Sequence, residues 1–204
     1  MLKELFDKYG CDKARKHHYH LVYGAEFDAI REERLAILEV GVFKGESTQA
    51  WVDYFPNAIV YGLDVFTRVP MNQIPILNHP RVRSIRGSSI DITITEEIRK
   101  KWPGVKFDII IDDGLHTPRA NADTFKHLFP LLKDTGAYYV EDVWPLDVMT
   151  LKEMQHPWIQ KSPNRYNALE MEYFLSAIEK HKVTRFDNRK LSGEGDSYII
   201  KVTK

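Results

Sequence analysis

Residues 107–116 read Phe-Asp-Ile-Ile-Ile-Asp-Asp-Gly-Leu-His. Three consecutive isoleucines cannot all be kept from water by a strand with one buried face, so this run belongs to the interior of a sheet covered on both sides. Sheets of that kind are built from parallel strands joined by crossover helices. The run ends in two carboxylates, a glycine and a histidine. That is where an open α/β sheet presents its ligands, just past the carboxyl ends of its strands. Taken alone, the segment also reads as a polar loop with an Asp-Gly turn, and the remainder of the chain has to decide.

It does so by alternation. Residues 36–42, 59–66, 82–87 and 137–143 read as further short strands, the third of them carrying two arginines. Helical patterns separate them: one through Gln49, Ala50, Trp51 and Val52, and one over residues 95–102 ended by Pro103-Gly104. Another opens with Thr117 as N-cap and Pro118 at the first helical position, and Pro130 kinks or shortens it. Asp134-Thr135-Gly136 reads as a turn before the fifth strand. A helix over residues 168–181 and two final strands, 183–188 and 198–204, complete the chain, the last pair forming a long-looped antiparallel hairpin. Residues 1–35 form a helical cap, with Leu2, Leu5, Phe6 and Tyr9 at helical spacing, a polar segment through His20, and a second amphipathic helix through Ile30. Residues 144–167 hold no period and carry Trp144, Trp158 and Tyr166, suited either to stacking on a substrate or to core packing; a connection this long is usually functional. The expectation is an α/β single domain over residues 1–204, a doubly wound, mostly parallel seven-stranded sheet with an antiparallel C-terminal hairpin and an N-terminal helical cap.

Composition removes several classes of function. With 29 basic and 29 acidic residues the net charge is zero; a nucleic-acid binder usually needs a basic face, so nothing global recommends that partner. The single Cys11 excludes an internal disulfide and fits a reducing compartment. No apolar run approaches the roughly 20 residues of a membrane span, and the first residues lack a signal peptide's apolar core. A cytoplasmic protein is expected. His17, His18 and His20 invite a metal reading, but zinc spacing and thiolate or carboxylate company are missing.

The residues that carry chemistry gather at strand ends. Glu39-x-Gly41-x-x-x-Gly45 is a glycine-rich strand-to-helix turn, where the backbone can approach a ligand and a helix N-terminus offers free N–H groups. It lacks the Gly-Lys-Ser/Thr ending of a phosphate loop and the Gly-x-Gly-x-x-Gly of dinucleotide binders, and an ordinary βα turn would look similar. Asp64 closes the second strand roughly 20 residues later, the position from which a carboxylate accepts both hydroxyls of a ribose. Together they point to a nucleoside cofactor. Asp113, Glu141 and Asp142 stand at the ends of the fourth and fifth strands; if those strands pair, about 4.8 Å apart, the three carboxylates converge with His116. Three carboxylates that close cannot all stay ionised without a cation, and an all-carboxylate set favours Mg²⁺, with Mn²⁺ or Ca²⁺ behind it. A hydroxyl on such an ion becomes acidic enough for His116 to take its proton near neutral pH. Local capping or salt bridging of Glu141 and Asp142 is the plain alternative.

Residues 39–45, Gly62-Leu-Asp64, residues 110–116, residues 124–130 and Tyr139-Val-Glu-Asp-Val143 resemble class I S-adenosylmethionine-dependent methyltransferases. More narrowly they resemble the metal-dependent sugar O-methyltransferases of macrolide biosynthesis, of the mycinamicin and tylosin type. The segment from Gly10-Cys-Asp-Lys13 through His17, Tyr19 and Tyr23 is similar to a preceding motif of that group. The resemblance implies a Rossmann-like fold, S-adenosylmethionine bound around Glu39, Gly41, Gly45 and Asp64 with Asp91 and Asp112 nearby, Mg²⁺ on Asp113, Glu141 and Asp142, and His116 as base. It implies a small-molecule or glycan substrate and is compatible with a homo-oligomer. Ser88 follows Gly87 where many relatives carry an acidic residue near the adenine. A catechol or phenol O-methyltransferase, a hydroxylase of related fold, and a cofactor-binding module without chemistry are the competing functions. A nicotinamide dehydrogenase is disfavoured by the glycine pattern.

Overall fold

A computed structural model describes residues 1–204. Strands β1 (Ala36–Val40), β2 (Ile59–Asp64), β3 (Val82–Arg86), β4 (Phe107–Asp112), β5 (Leu132–Val140), β6 (Lys182–Asp187) and β7 (Tyr198–Thr203) form one sheet in the order β3-β2-β1-β4-β5-β7-β6. The first five strands run parallel, and β7 lies antiparallel between β5 and β6. The expected mostly parallel, doubly wound sheet is therefore present. From β1 the chain winds outward through β2 and β3, then returns to place β4 and β5 on the other side. The crossovers leave β1 and β4 in opposite directions, which opens a crevice at their carboxyl ends.

Helices cover both faces. On one lie α1 (Leu2–Tyr9), α2 (Asp12–Arg15), α3 (Tyr19–Phe27) and α4 (Glu46–Tyr54); on the other lie α5 (Ile94–Lys101), α6 (Pro118–Leu128) and α8 (Ala168–Ile178). Two short turns of helix, α7 (Pro157–Gln160) and α9 (Arg189–Ser192), interrupt the long connections. The isoleucine triplet is divided between the two layers. Ile110 packs with Phe125, Leu128 and Phe174, while Ile109 and Ile111 pack with Phe27, Trp51 and Tyr139. That division is why the triplet is apolar throughout. Arg81 locks α4 in place by donating to the carbonyls of Val52, Phe55 and Ala58, at distances of 2.7 to 3.2 Å, at the helix end where carbonyls lack intrahelical partners. No helix is long and apolar enough to cross a membrane.

Three local expectations are corrected. Asp134-Thr135-Gly136 is not a turn: β5 runs through it, a register shift opposite Phe107–Ile109 absorbs the irregularity, and a Cβ on Gly136 would stand 2.9 Å from the Asp108 carbonyl. The polar segment after Gly10 contains a turn of helix, α2, and the final hairpin connection contains α9. Pro130 does shorten α6, as expected, and the helix gives way to a 3₁₀ turn over Phe129–Leu131.

Candidate active site

The crevice at the ends of β1 and β4 has a volume of about 700 Å³. Its floor is the β1–α4 turn. Gly41 adopts φ 88°, and a Cβ there would fall 2.0 Å from the Asp113 carbonyl oxygen, so only glycine lets the two strand ends pass. Asp64 lines the wall, its carboxylate fixed by the N–H groups of Phe43 (2.9 Å) and Phe66 (2.6 Å). The other expected cofactor residues stand differently. Glu39 is fully buried behind the turn and accepts from Thr48 and from the Trp51 indole (3.0 Å), tying β1 to α4. Gly45 packs against Ile74 and Ile76. Asp112 faces away from the crevice toward the Tyr138 hydroxyl (3.1 Å), and Asp91 caps the turn ahead of α5 through Thr93, exposed to solvent. Gly41 and Asp64 reach the crevice; Glu39, Gly45 and Asp112 support it, and Asp91 is not among its lining residues.

At one edge Asp113, His116 and Asp142 converge, with one ligand atom from each lying within 4.8 Å of the others. His116 Nε2 is 3.5 Å from Asp113 Oδ1, and its Nδ1 is buried without a partner. Burial, then the charge of Asp113, raises Asp142 above the ordinary carboxylate range. His116 (φ 56°), Asp142 (φ 52°) and Phe43 (φ 50°) all line the crevice in the left-handed region, which costs a side-chain-bearing residue about 1–2 kcal/mol. Non-glycine strain of this kind clusters where side chains must be aimed. The two convergent carboxylates suit a hard divalent cation, with the imidazole beside them.

Glu141, the next residue along, stands outside that trio. It is fully buried; one oxygen accepts from the Tyr23 hydroxyl (2.5 Å) and the other from the Lys13 ammonium, which also reaches Asp113 Oδ2 at 2.6 Å. Burial disfavours the charged form of Lys13; the charges of Asp113 and Glu141 outweigh it and hold the ammonium well above lysine's usual range. Asp142 is gripped from the same direction. Tyr19 donates to Oδ1 (2.8 Å) and accepts from its N–H (3.1 Å), and His17 Nδ1 lies 3.6 Å away, bonded to Ser197. Of the histidine cluster, His17 thus turns inward, while the His18 and His20 rings pair with each other.

Sequence reasoning placed no role on Lys13, His17, Tyr19 or Tyr23, although it noted the motif that holds them. The available signal was the i, i+4 spacing of Lys13 and His17 next to buried aromatics, but no pattern within that segment reveals that its partners lie beyond residue 112. Of the aromatic candidates, Trp144 and Tyr166 are buried, whereas Trp158 is 56% exposed at the crevice rim, beside Leu115 at 60%.

No protein-family model matches the chain. It is 30% identical over 151 residues to mycinamicin VI 2''-O-methyltransferase of Micromonospora griseorubida, a match covering 70% of this chain and 36% of that protein. Demethylmacrocin O-methyltransferase of Streptomyces fradiae is 28% identical over 151 residues, again 70% of this chain and 36% of the relative. The chain thus matches roughly a third of the length of these relatives. Crystal structures of the methyltransferase MycE from the mycinamycin pathway, one with Mg and SAH and one that also holds mycinamycin VI, superpose over all of this chain and 54% of theirs. The TM-score is 0.70 at 24% identity. The chain thus shares the fold of the MycE methyltransferase, and over 151 residues its sequence is similar to mycinamicin VI 2''-O-methyltransferase and to demethylmacrocin O-methyltransferase.

Proposed function

We propose that the protein is an S-adenosylmethionine- and Mg²⁺-dependent O-methyltransferase acting on a sugar hydroxyl of a glycosylated small molecule. The observation that carries this reading is the convergence of Asp113, His116 and Asp142 at the edge of the crevice floored by Gly41. The sugar specificity rests on the relatives, two of which are named for mycinamicin VI and demethylmacrocin.

Asp113 and Asp142, with Glu141 at their side, would hold the divalent ion. Gly41 and Asp64 would face the cofactor, Asp64 accepting from a ribose diol. When bound, the ion would neutralise the carboxylates and make a chelating hydroxyl more acidic, and S-adenosylmethionine would supply the methyl group. The chain's own work is positional. Asp113 Oδ1 faces the imidazole edge of His116 at 3.5 Å, so the ring is held at the carboxylates and can take a hydroxyl proton there. Tyr19 fixes Asp142. Leu115 and Trp158 at the rim offer apolar surface on which a sugar face can stack.

The test is methyl transfer to glycosylated acceptors in the presence of Mg²⁺. Chelator should abolish turnover, and His116→Ala should lower kcat by about 10²–10⁴-fold, the usual contribution of a general base. Turnover that survives chelation rules out the metal-dependent reading, and near-normal kcat in His116→Ala removes that residue as base.

A further inference from the structure

Lys13 is 2% exposed, and no other lysine or arginine in the chain is buried. A lysine loses favourable hydration on burial and is tolerated only against opposite charge. Here the opposite charge is Asp113 and Glu141, from the ends of β4 and β5, bridged by the one ammonium. These are two of the three carboxylates expected to hold the divalent ion. Asp113 turns Oδ2 to Lys13 and Oδ1 to His116. Glu141 has no oxygen left without a donor, since Tyr23 takes Oε1 and Lys13 takes Oε2, and it lies outside the trio of convergent ligand atoms.

We propose that Lys13 and the divalent ion are rival cations for Asp113 and Glu141. In the ion-free protein the ammonium is the resident counter-ion that lets the buried Glu141 and the half-buried Asp113 stand side by side. An ion arriving at Asp113 and Asp142 meets that ammonium across the same carboxylates, where solvent screening is weak, and draws Glu141 from it. Lys13 therefore sets the ion affinity from the far side of the ligands and keeps the ion exchangeable. It is a positioning residue for the carboxylates and a competitor for what they bind. The inference rests on reading Asp113 and Asp142 as an ion site.

Two effects of removing Lys13 have opposite signs, which makes the experiment decisive. Loss of a partner that orients the ligands weakens metal binding, whereas loss of a buried positive charge strengthens it. The experiment is titration of Mn²⁺ into the cofactor-free protein, following the free ion by electron paramagnetic resonance, with melting curves in its absence and presence. Lys13→Met, a neutral chain of similar length, should bind Mn²⁺ about tenfold more tightly or better, charge relief outweighing lost orientation. Its ion-free Tm should fall by about 10 °C because the buried Glu141 and the half-buried Asp113 lose their partner, and saturating ion should recover most of that loss. Lys13→Arg, which retains the charge, should stay within about threefold of wild type. Equal or weaker Mn²⁺ binding by Lys13→Met overturns the rivalry and leaves the ion site intact. Absence of Mn²⁺ binding in both wild type and Lys13→Met, with Asp113→Asn no different, overturns the ion site as well. Should Lys13→Met fail to fold without ion, the wild-type protein decides. The ¹⁵N resonance of the Lys13 ammonium, assigned by its loss in Lys13→Arg, should shift on saturation with Mg²⁺, and an unmoved resonance refutes the proposal.

Discussion

Asp112 and Asp113 are chemically identical neighbours with different tasks, and the alternation of a strand separates them. Asp113 emerges at the crevice; Asp112 turns into the opposite layer, where burial pushes its carboxyl up to about 7, opposed by the nearby His116. Its unfolded counterpart titrates near 3.8. Between those values the folded state binds the extra proton, so stability is highest at the acidic end and falls as pH rises toward 7, then levels. Asp112→Asn should remove that slope. In ion-free protein the variant should gain stability relative to wild type between pH 5 and pH 8, by a few kcal/mol at most, at about 1.4 kcal/mol per unit of pH, as read from urea unfolding at each pH. A difference between wild type and variant that does not change with pH removes Asp112 as the source. At this scale the sequence was informative about identity and poor about exposure. Residues 110–116 announced the carboxylates and the histidine, and the strand's period separated Asp112 from Asp113. Whether Glu39 or Asp91 meets a ligand or its own helix depends on rotamers and caps that no period encodes, and the structure turns the first inward to Trp51 and the second outward to Thr93.

Among the elements, the parallel strands were legible because apolar runs buried on both faces leave few alternatives. The one-turn helix α2 was not: four residues are too few for a 3.6-residue period to register, and isolated helices of that length do not hold without tertiary contacts. Those contacts are the carboxylates Lys13 reaches from it. β5 was misjudged at its start because Asp-Thr-Gly is strong turn chemistry, overridden here by pairing with β4 and by the close passage at Gly136. For α4, whose N-terminal residues Glu46 and Ser47 line the crevice, the anchor sits at the opposite end. Arg81 satisfies three carbonyls at or just beyond its C-terminus, where a cation is also favoured by the helix dipole. Arg81→Ala should therefore lower stability by about 1–3 kcal/mol in denaturant unfolding while leaving Mn²⁺ affinity within about twofold of wild type. A large loss of ion affinity would mean that α4 transmits its position to the carboxylates.

On the scale of the whole molecule, the doubly wound sheet accounts for where the crevice lies, and its alternation of strands and helices was legible in the sequence, whereas its strand order was not. What alternation could not give is the distance in sequence over which the site is assembled. Asp142 is steadied by His17, and His17 by Ser197, 180 residues away; Asn188 donates to the His17 and His18 carbonyls, and Tyr19 to that of Asp196. The contacts to Ser197, Asn188 and Asp196 each close a loop of at least 170 residues, so these contacts are expected to form after the local βαβ units. In stopped-flow refolding, far-ultraviolet dichroism should recover before the capacity to bind Mn²⁺, with a separate slower phase for the latter; coincident phases would show that the carboxylates are ordered without the ring closure. A newly made copy would then pass through a stage that has its sheet and crevice but no firm hold on an ion, and competence would arrive as the last step of its maturation.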